Sequence, residues 1–223
     1  MRMWSSGMVG TLLTGILETL YMVVVSTAVA YVIGIPLGVI LFITDETGIC
    51  RNKPLNKILG TIVNLLRSIP FIVLLVAILP FTRAIAGTTI GSTATIVPLV
   101  VAAAPFVARM VESSLKEVDS GVIEAAASMG SSPFQIVCKV LLPEAKPSLI
   151  VGSAIAITTI LGYSAMAGFT GGGGLGSIAI NYGYYRYEDD VMLITVLILV
   201  VIVQIFQEVG MRVAFKTDKR IRR

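Results

Sequence analysis

Residues 19–43 read TLYMVVVSTAVAYVIGIPLGVILFI, twenty-five residues without a charge. About 20 apolar residues in a helix are enough to cross the hydrocarbon core of a bilayer, and this run exceeds that. No water is available there, so each backbone amide must be paired within its own segment and the run can cross only as a helix. A secretory signal peptide competes for this end of the chain, but its apolar core is only about 7–15 residues long, which favours a retained span. The rest of the chain agrees, with 56% hydrophobic residues, 13% charged and a mean hydropathy of +0.91. A soluble domain carries about 25% charged residues.

Four further stretches are poor enough in charge to cross. One runs from about Ile58 to Phe81, interrupted by Arg67, and another from about Ser92 to Ala108. A fourth begins at Pro147 and is ended near Gly168 because GGGG follows at 171–174, and the fifth runs from Val191 to about Met211 with Glu208 near its exit. The expected fold is all-α integral membrane, with five transmembrane helices in one domain over 1–223, placing the termini on opposite sides. Lysine and arginine set the orientation, because short cytoplasmic loops carry the positive excess. Thirteen of these residues fall on one side, namely Arg51, Lys53, Lys57, Arg109, Lys116, Lys139, Lys146, Arg212, Lys216, Lys219, Arg220, Arg222 and Arg223. Only Arg2, Arg83 and Arg186 fall on the other. The expectation is therefore an N-terminus outside and a C-terminus in the cytoplasm. On this topology the net charge of +4 reflects anchors beside the spans and gives no reason to expect nucleic acid.

Between the third and fourth spans lies a water-compatible segment of about 120–143. Ser120 precedes GVIEAAASM, whose alanines favour helix, and Gly130 stands where a left-handed stop is expected. SPFQ then supplies a capping box, with Ser132 as N-cap, Pro133 at the first helical position and Gln135 reaching back. A second helix, PFQIVCKVLL, is expected to close at Pro143 and Pro147. On local physics such a hairpin is equally well an interfacial cover for its own bundle.

The order EAA, three residues, Gly130, nine residues, Val140, one residue, then Leu142 and Pro143 resembles the EAA loop of ABC importer permeases. Valine replaces the usual isoleucine, and both are β-branched. The resemblance implies a cytoplasmic coupling hairpin that docks in a cleft of a separate ATPase, a role mapped onto Glu124, Ala125, Ala126 and Gly130, with Leu142 and Pro143 completing the motif. NLLRSIPFIVLL (64–75), PFTR (80–83), IVPLVVAAAPFVARMVE (96–112) and LGYSAMAG (161–168) followed by GGGGLG are similar to the permease subunits of methionine importers. That similarity covers nearly the whole chain. It implies a homodimer in the cell inner membrane, two ATP-binding subunits and an external substrate-binding lipoprotein or periplasmic protein. ATP and Mg would be bound by the ATPase partner and no cofactor by this chain. Permeation of another polar amino acid is the nearest alternative.

Thr159, Tyr163 and Met166 share a helical face with Ile155 nearby, and Ser164 lies beside them. Two readings stay open: a gate along a translocation pathway, or packing between helices, where methionine adapts well. Arg67 reads as an anchor beside the kink at Pro70 ahead of a substrate contact. GGGGLG lacks a following GK[ST] and reads as a flexible external loop rather than a phosphate loop, while the acidic cluster in RYEDD (186–190) reads as a solvated helix start. Cys50 and Cys138 read as free cytoplasmic thiols, with no catalytic set or metal-ligand set around them. The chain has no histidine and no Walker A sequence, so ATP hydrolysis must come from elsewhere. A secondary transporter would call for paired repeats and midplane charges, and a simple channel would leave the hairpin unexplained.

Overall fold

The computed structural model describes residues 6–217, so Arg2, Lys219, Arg220, Arg222 and Arg223, used above for orientation, lie outside the described residues. In chain order the helices are α1 (Ser6–Ile43), α2 (Lys53–Ser68), α3 (Phe71–Ala77), α4 (Leu79–Ala86), α5 (Ser92–Lys116) and α6 (Ser120–Ser128). Then come α7 (Pro133–Ile136), a π turn (Val137–Leu141), α8 (Leu142–Glu144) and α9 (Lys146–Met166). A 3-10 turn (Ala167–Thr170), α10 (Gly174–Ile178), a second π turn (Ala179–Tyr184) and α11 (Asp189–Thr217) complete the fold. Among the described residues four helices are long and apolar enough to cross a membrane, or five if α2 and α3 count as one broken span.

The break expected at Pro70 is present, while the bounds of two spans need correction. The second starts earlier than Ile58, with α2 beginning at Lys53 and stopping at Ser68, before an extended Pro70 (φ −56°, ψ 134°) leads into α3. Proline has no amide to donate and forces the residue before it out of helical geometry, so the break falls at Ile69. The first helix begins well before Thr19, because Glu18 does not lie unpaired on its surface. Its carboxylate accepts the Gly174 amide at 2.6 Å, and Thr19 Oγ1 accepts the Leu175 amide at 2.9 Å.

The chain divides into two compact units, each assembled from three separate stretches. The first contains residues up to Val29, Ile69–Ala103 and Ile157–Gln207. Its core is Leu175, Ile178 and Val191, against which Leu12, Ile16, Ile198 and Ile202 pack. The glycine run, expected to be a flexible loop, is instead a packed turn. Gly171, Gly173 and Gly174 take positive φ, Thr95 donates to the Gly172 carbonyl at 3.1 Å, and Gly174 through Ala179 are buried. Bare glycines read as flexible in a sequence, yet here the missing side chains are what let backbone approach backbone, as at Gly168 against Gly176. At the start of α11, Asp189 and Asp190 lie in the first turn, where the helix dipole favours negative charge.

The second unit contains Ala30–Ser68, Ala104–Ala156 and the chain from Glu208. Gly34 and Gly38 bring α1 against Val107 and Val111 of α5, and a Cβ on Gly38 would lie 2.7 Å from that of Val111. Small residues four apart are the usual means by which membrane helices pack closely. Where α5 ends, Glu112 is 6% exposed and binds Arg109 at 2.6 Å and Lys116 at 2.9 Å, and Lys116 continues to Asp45 at 3.1 Å. The Glu46 amide, then the Lys116 ammonium, hold the Asp45 carboxyl below the usual carboxylate range. Asn56 donates to the Leu41 carbonyl at 2.7 Å and to Thr44 Oγ1 at 3.1 Å, fastening the start of α2 to the end of α1. Cys50 and Cys138 are exposed free thiols.

Burial separates the long helices by role. In the most apolar window of α5, 56% of residues are buried, against 17% in α11. The exposed side of α11 is a row of Leu193, Leu197, Val200, Val201 and Ile205, a surface that only hydrocarbon or another apolar helix can cover.

Candidate coupling hairpin and translocation face

The hairpin is built by three local devices. Asp119, one residue before the Ser120 expected from the sequence, caps α6 by accepting the Gly121 amide at 2.7 Å. At the other end the Ser131 amide bonds the Ala126 carbonyl at 3.2 Å and the Gly130 amide bonds the Ala127 carbonyl at 2.9 Å, the two bonds of a Schellman stop. That stop requires a left-handed residue, and Gly130 has φ 78°. The predicted capping box is present: Ser132 Oγ accepts the Gln135 amide at 3.3 Å, and Gln135 Oε1 accepts the Ser132 amide at 2.9 Å. One device ends the first helix and the next starts the second with a single residue between them, so the turn is stiff.

Pro143 does not close the second helix, as the sequence led one to expect. The helix continues through a π turn, in which the Leu142 amide reaches back to the Val137 carbonyl, into α8. Pro143 falls in the first turn of α8, directly after the π turn, the kind of local adjustment that accommodates a residue with no amide hydrogen to donate. The chain breaks only at Ala145, and Pro147 is the second residue of α9.

The hairpin has an inner and an outer side. Ala126, Ile136, Val137 and Leu141 are buried, so the motif alanine at 126 packs inward. Glu124, Ala125, Gly130 and Pro143 are exposed, Leu142 is half-buried, and a Cβ on Gly130 would meet nothing within 4 Å. Beside this open turn stand Met129, 79% exposed, and Phe134, 76% exposed, two residues the motif does not include. Their signal was visible in the sequence as large apolar side chains flanking the glycine turn.

The residues of the α9 face differ in exposure. Met166 is 47% exposed, Thr159 is half-buried, and Ile155 and Phe169 are exposed. The Tyr163 ring stacks on Phe71, the first residue of α3, with centroids 4.6 Å apart and planes 6° apart. Ser164 is turned away: it is buried and donates to the Leu161 carbonyl at 2.7 Å. The structure therefore leaves Met166 open, holds Tyr163 through an aromatic partner and does not bring Ser164 to the face. Arg67 lies in the last turn of α2 with its guanidinium 5.9 Å from the centre of the Phe106 ring.

A hairpin with a stiff, open tip in a chain of long apolar helices suits a membrane protein driven by a separate subunit. The sequence pattern of the family described as binding-protein-dependent transport system inner membrane component matches residues 34–223. This chain belongs to that family. It is a multi-pass protein of the inner membrane and a transport permease rather than an enzyme. It is 53% identical over 209 residues to a probable D-methionine transport system permease protein of Vibrio cholerae, covering 94% of this chain and 93% of the relative. It is 52% identical over 164 residues to the D-methionine transport system permease protein of Escherichia coli strain K12, covering 74% and 76% of the two chains. Among solved structures, a chain of the MetNI methionine ABC transporter in an inward-facing conformation superposes with a TM-score of 0.95 at 48% identity, over 96% of this chain and all 100% of that one. A chain of an amino acid ABC transporter with histidines shares the fold, at a TM-score of 0.77 and 19% identity.

Proposed function

We propose that this chain is the permease subunit of an ATP-driven methionine importer, acting as one transmembrane domain in a complex with a second copy of itself, two ATP-binding subunits and an external substrate-binding protein. The hairpin carries the reading. Its inner side is buried at Ile136 and Leu141, and its exposed side offers a bare glycine turn between Met129 and Phe134. An ATPase cleft receiving that tip meets shape and apolar surface, while Glu124 supplies an acceptor at the rim.

Because each helix of the hairpin is capped at the turn, a push on the tip moves both helices together. Closure of the ATPases on ATP would shift the hairpins, open the helices toward the binding protein and admit substrate along the dimer axis. Reopening would release it inward. Mg and ATP stay with the partner, the hairpin and C-terminus lie in the cytoplasm, and the N-terminus lies outside. Glu124, Ala125, Ala126, Gly130, Leu142 and Pro143 serve coupling, and Thr159, Tyr163 and Met166 line the gate, with Ser164 supporting it from behind.

The test is uptake of labelled methionine into vesicles holding this chain with its ATPase and binding protein. The expected result is ATP-dependent uptake suppressed by unlabelled methionine and close analogues. ATP-dependent uptake of a different amino acid would keep the permease and change its substrate, and uptake indifferent to ATP would overturn the coupled mechanism.

A further inference from the structure

In the second unit, α2, α5 and α9 enclose an open cavity of about 500 Å³ that no part of the coupling scheme uses. Its walls include Arg67, Phe106, Met110, Glu112, Ser113 and Ile155. A cavity of this size suits a small organic molecule.

The charges on the wall are unequal. Glu112 is bound by Arg109 and Lys116, and Arg109 also donates to the Gly60 carbonyl at 3.0 Å and to Asn64 Oδ1 at 3.1 Å, so both cations are committed. Among the described residues Arg67 has no carboxylate partner, and its guanidinium lies over the ring of Phe106. The excess charge is therefore a planar, positive fork at one edge of the cavity, the geometry that takes a carboxylate through two parallel hydrogen bonds. Phe106, Ile155 and the thioether of Met110 form an apolar wall on which a flexible, sulfur-containing or aliphatic side chain would rest. The Ser113 hydroxyl is on the same wall for an ammonium, while both oxygens of Glu112 are already taken by Arg109 and Lys116.

We infer that this cavity is a transit site for a zwitterionic amino acid with an apolar side chain, in which Arg67 takes the carboxylate. The inference rests on the amino-acid permease reading and adds a place within the chain where the solute pauses. The cavity lies where α5 ends, four residues before the hairpin helix α6 begins, so it belongs to the exit end of the path on the proposed topology. Its openness fits a solute that must leave: a closed, fully complementary pocket would retain it. By helical spacing Ile155 falls on the same side of α9 as Thr159 and Met166.

The test uses the permease–ATPase complex in detergent, without binding protein, and a diazirine analogue of methionine that attaches on illumination to what it touches. Label is expected in the peptide containing Phe106–Ser113, suppressed by excess methionine and not by methioninamide, which lacks the carboxylate. Arg67→Gln should lower the label about tenfold or more, the loss expected for one charge-assisted contact. Ile155→Trp keeps the arginine but fills the cavity, and should lower the label as well. Co-purification of the ATPase reports assembly of each variant, and the methioninamide comparison needs no variant at all. Label that survives both substitutions in assembled complexes, equal protection by methioninamide, or label in other peptides only would overturn the site. Protection by phosphatidylglycerol where methionine gives none would make the cavity a lipid site and overturn it too. Wild-type vesicles run in parallel separate the two readings: methionine uptake without label at 106–113 removes the cavity alone, and absence of ATP-driven uptake removes the permease reading.

Discussion

At the scale of single residues, Gly130 carries two requirements that come apart under substitution. Its φ of 78° is strained for any side chain, and the space around it is empty in this chain. Gly130→Ala should therefore cost about 1 kcal/mol of turn stability and leave the membrane helices intact. Gly130→Arg should go further, because a long cation at the tip must also be accommodated by the ATPase. Its expected outcome is loss of ATP-driven uptake with normal membrane insertion, read by transport and fractionation, and uptake surviving Gly130→Arg would remove the docking assignment. Met166 gives the matching test for the face of α9. Met166→Ala shortens the exposed side chain where a narrow gate would need it, so leak of labelled solute or basal ATP hydrolysis should rise severalfold. Unchanged behaviour in both would return Met166 to ordinary packing.

At the scale of elements, how well the sequence could be read depended on whether a signal was local. The hairpin was legible nearly to the residue, since a Schellman glycine and a capping box are decided within six residues of chain. The cap moved by one position, to Asp119, because aspartate and serine serve equally well and only the backbone chooses between them. What was illegible depended on distant partners. Glu18 belongs inside α1 because Gly174 supplies it with a donor, and the glycine run is packed because Thr95 holds it, neither of which spacing can reveal. Ser164 shows the limit of helical periodicity, which places a residue near a face but cannot say that its hydroxyl turns back to Leu161. The contact of α1 with α5 gives a prediction at this scale. Gly38→Leu would drive a branched side chain into the Ala108 carbonyl and Val111, so the loss should exceed about 3 kcal/mol and appear as reduced yield or a lower melting temperature of the purified complex.

At the scale of the whole molecule, the orientation expected from lysine and arginine gives a direct check. A reporter fused after Arg223 should be active only as a cytoplasmic protein, and an external signal would invert the topology and place the hairpin away from any ATPase. The interleaving of the two compact units bears on something else, the order in which the protein is made. Each unit draws on an early, a middle and a late stretch of chain. A ribosome that has delivered α1 through α8 has therefore finished neither, and the first unit stays incomplete until α11 is nearly through the exit tunnel. Domains of ordinary multidomain proteins fold one after another during synthesis. Here that sequence is unavailable: α1, α2 and α5 can already pack together as they emerge, but neither unit is complete until the chain of α11 has been added.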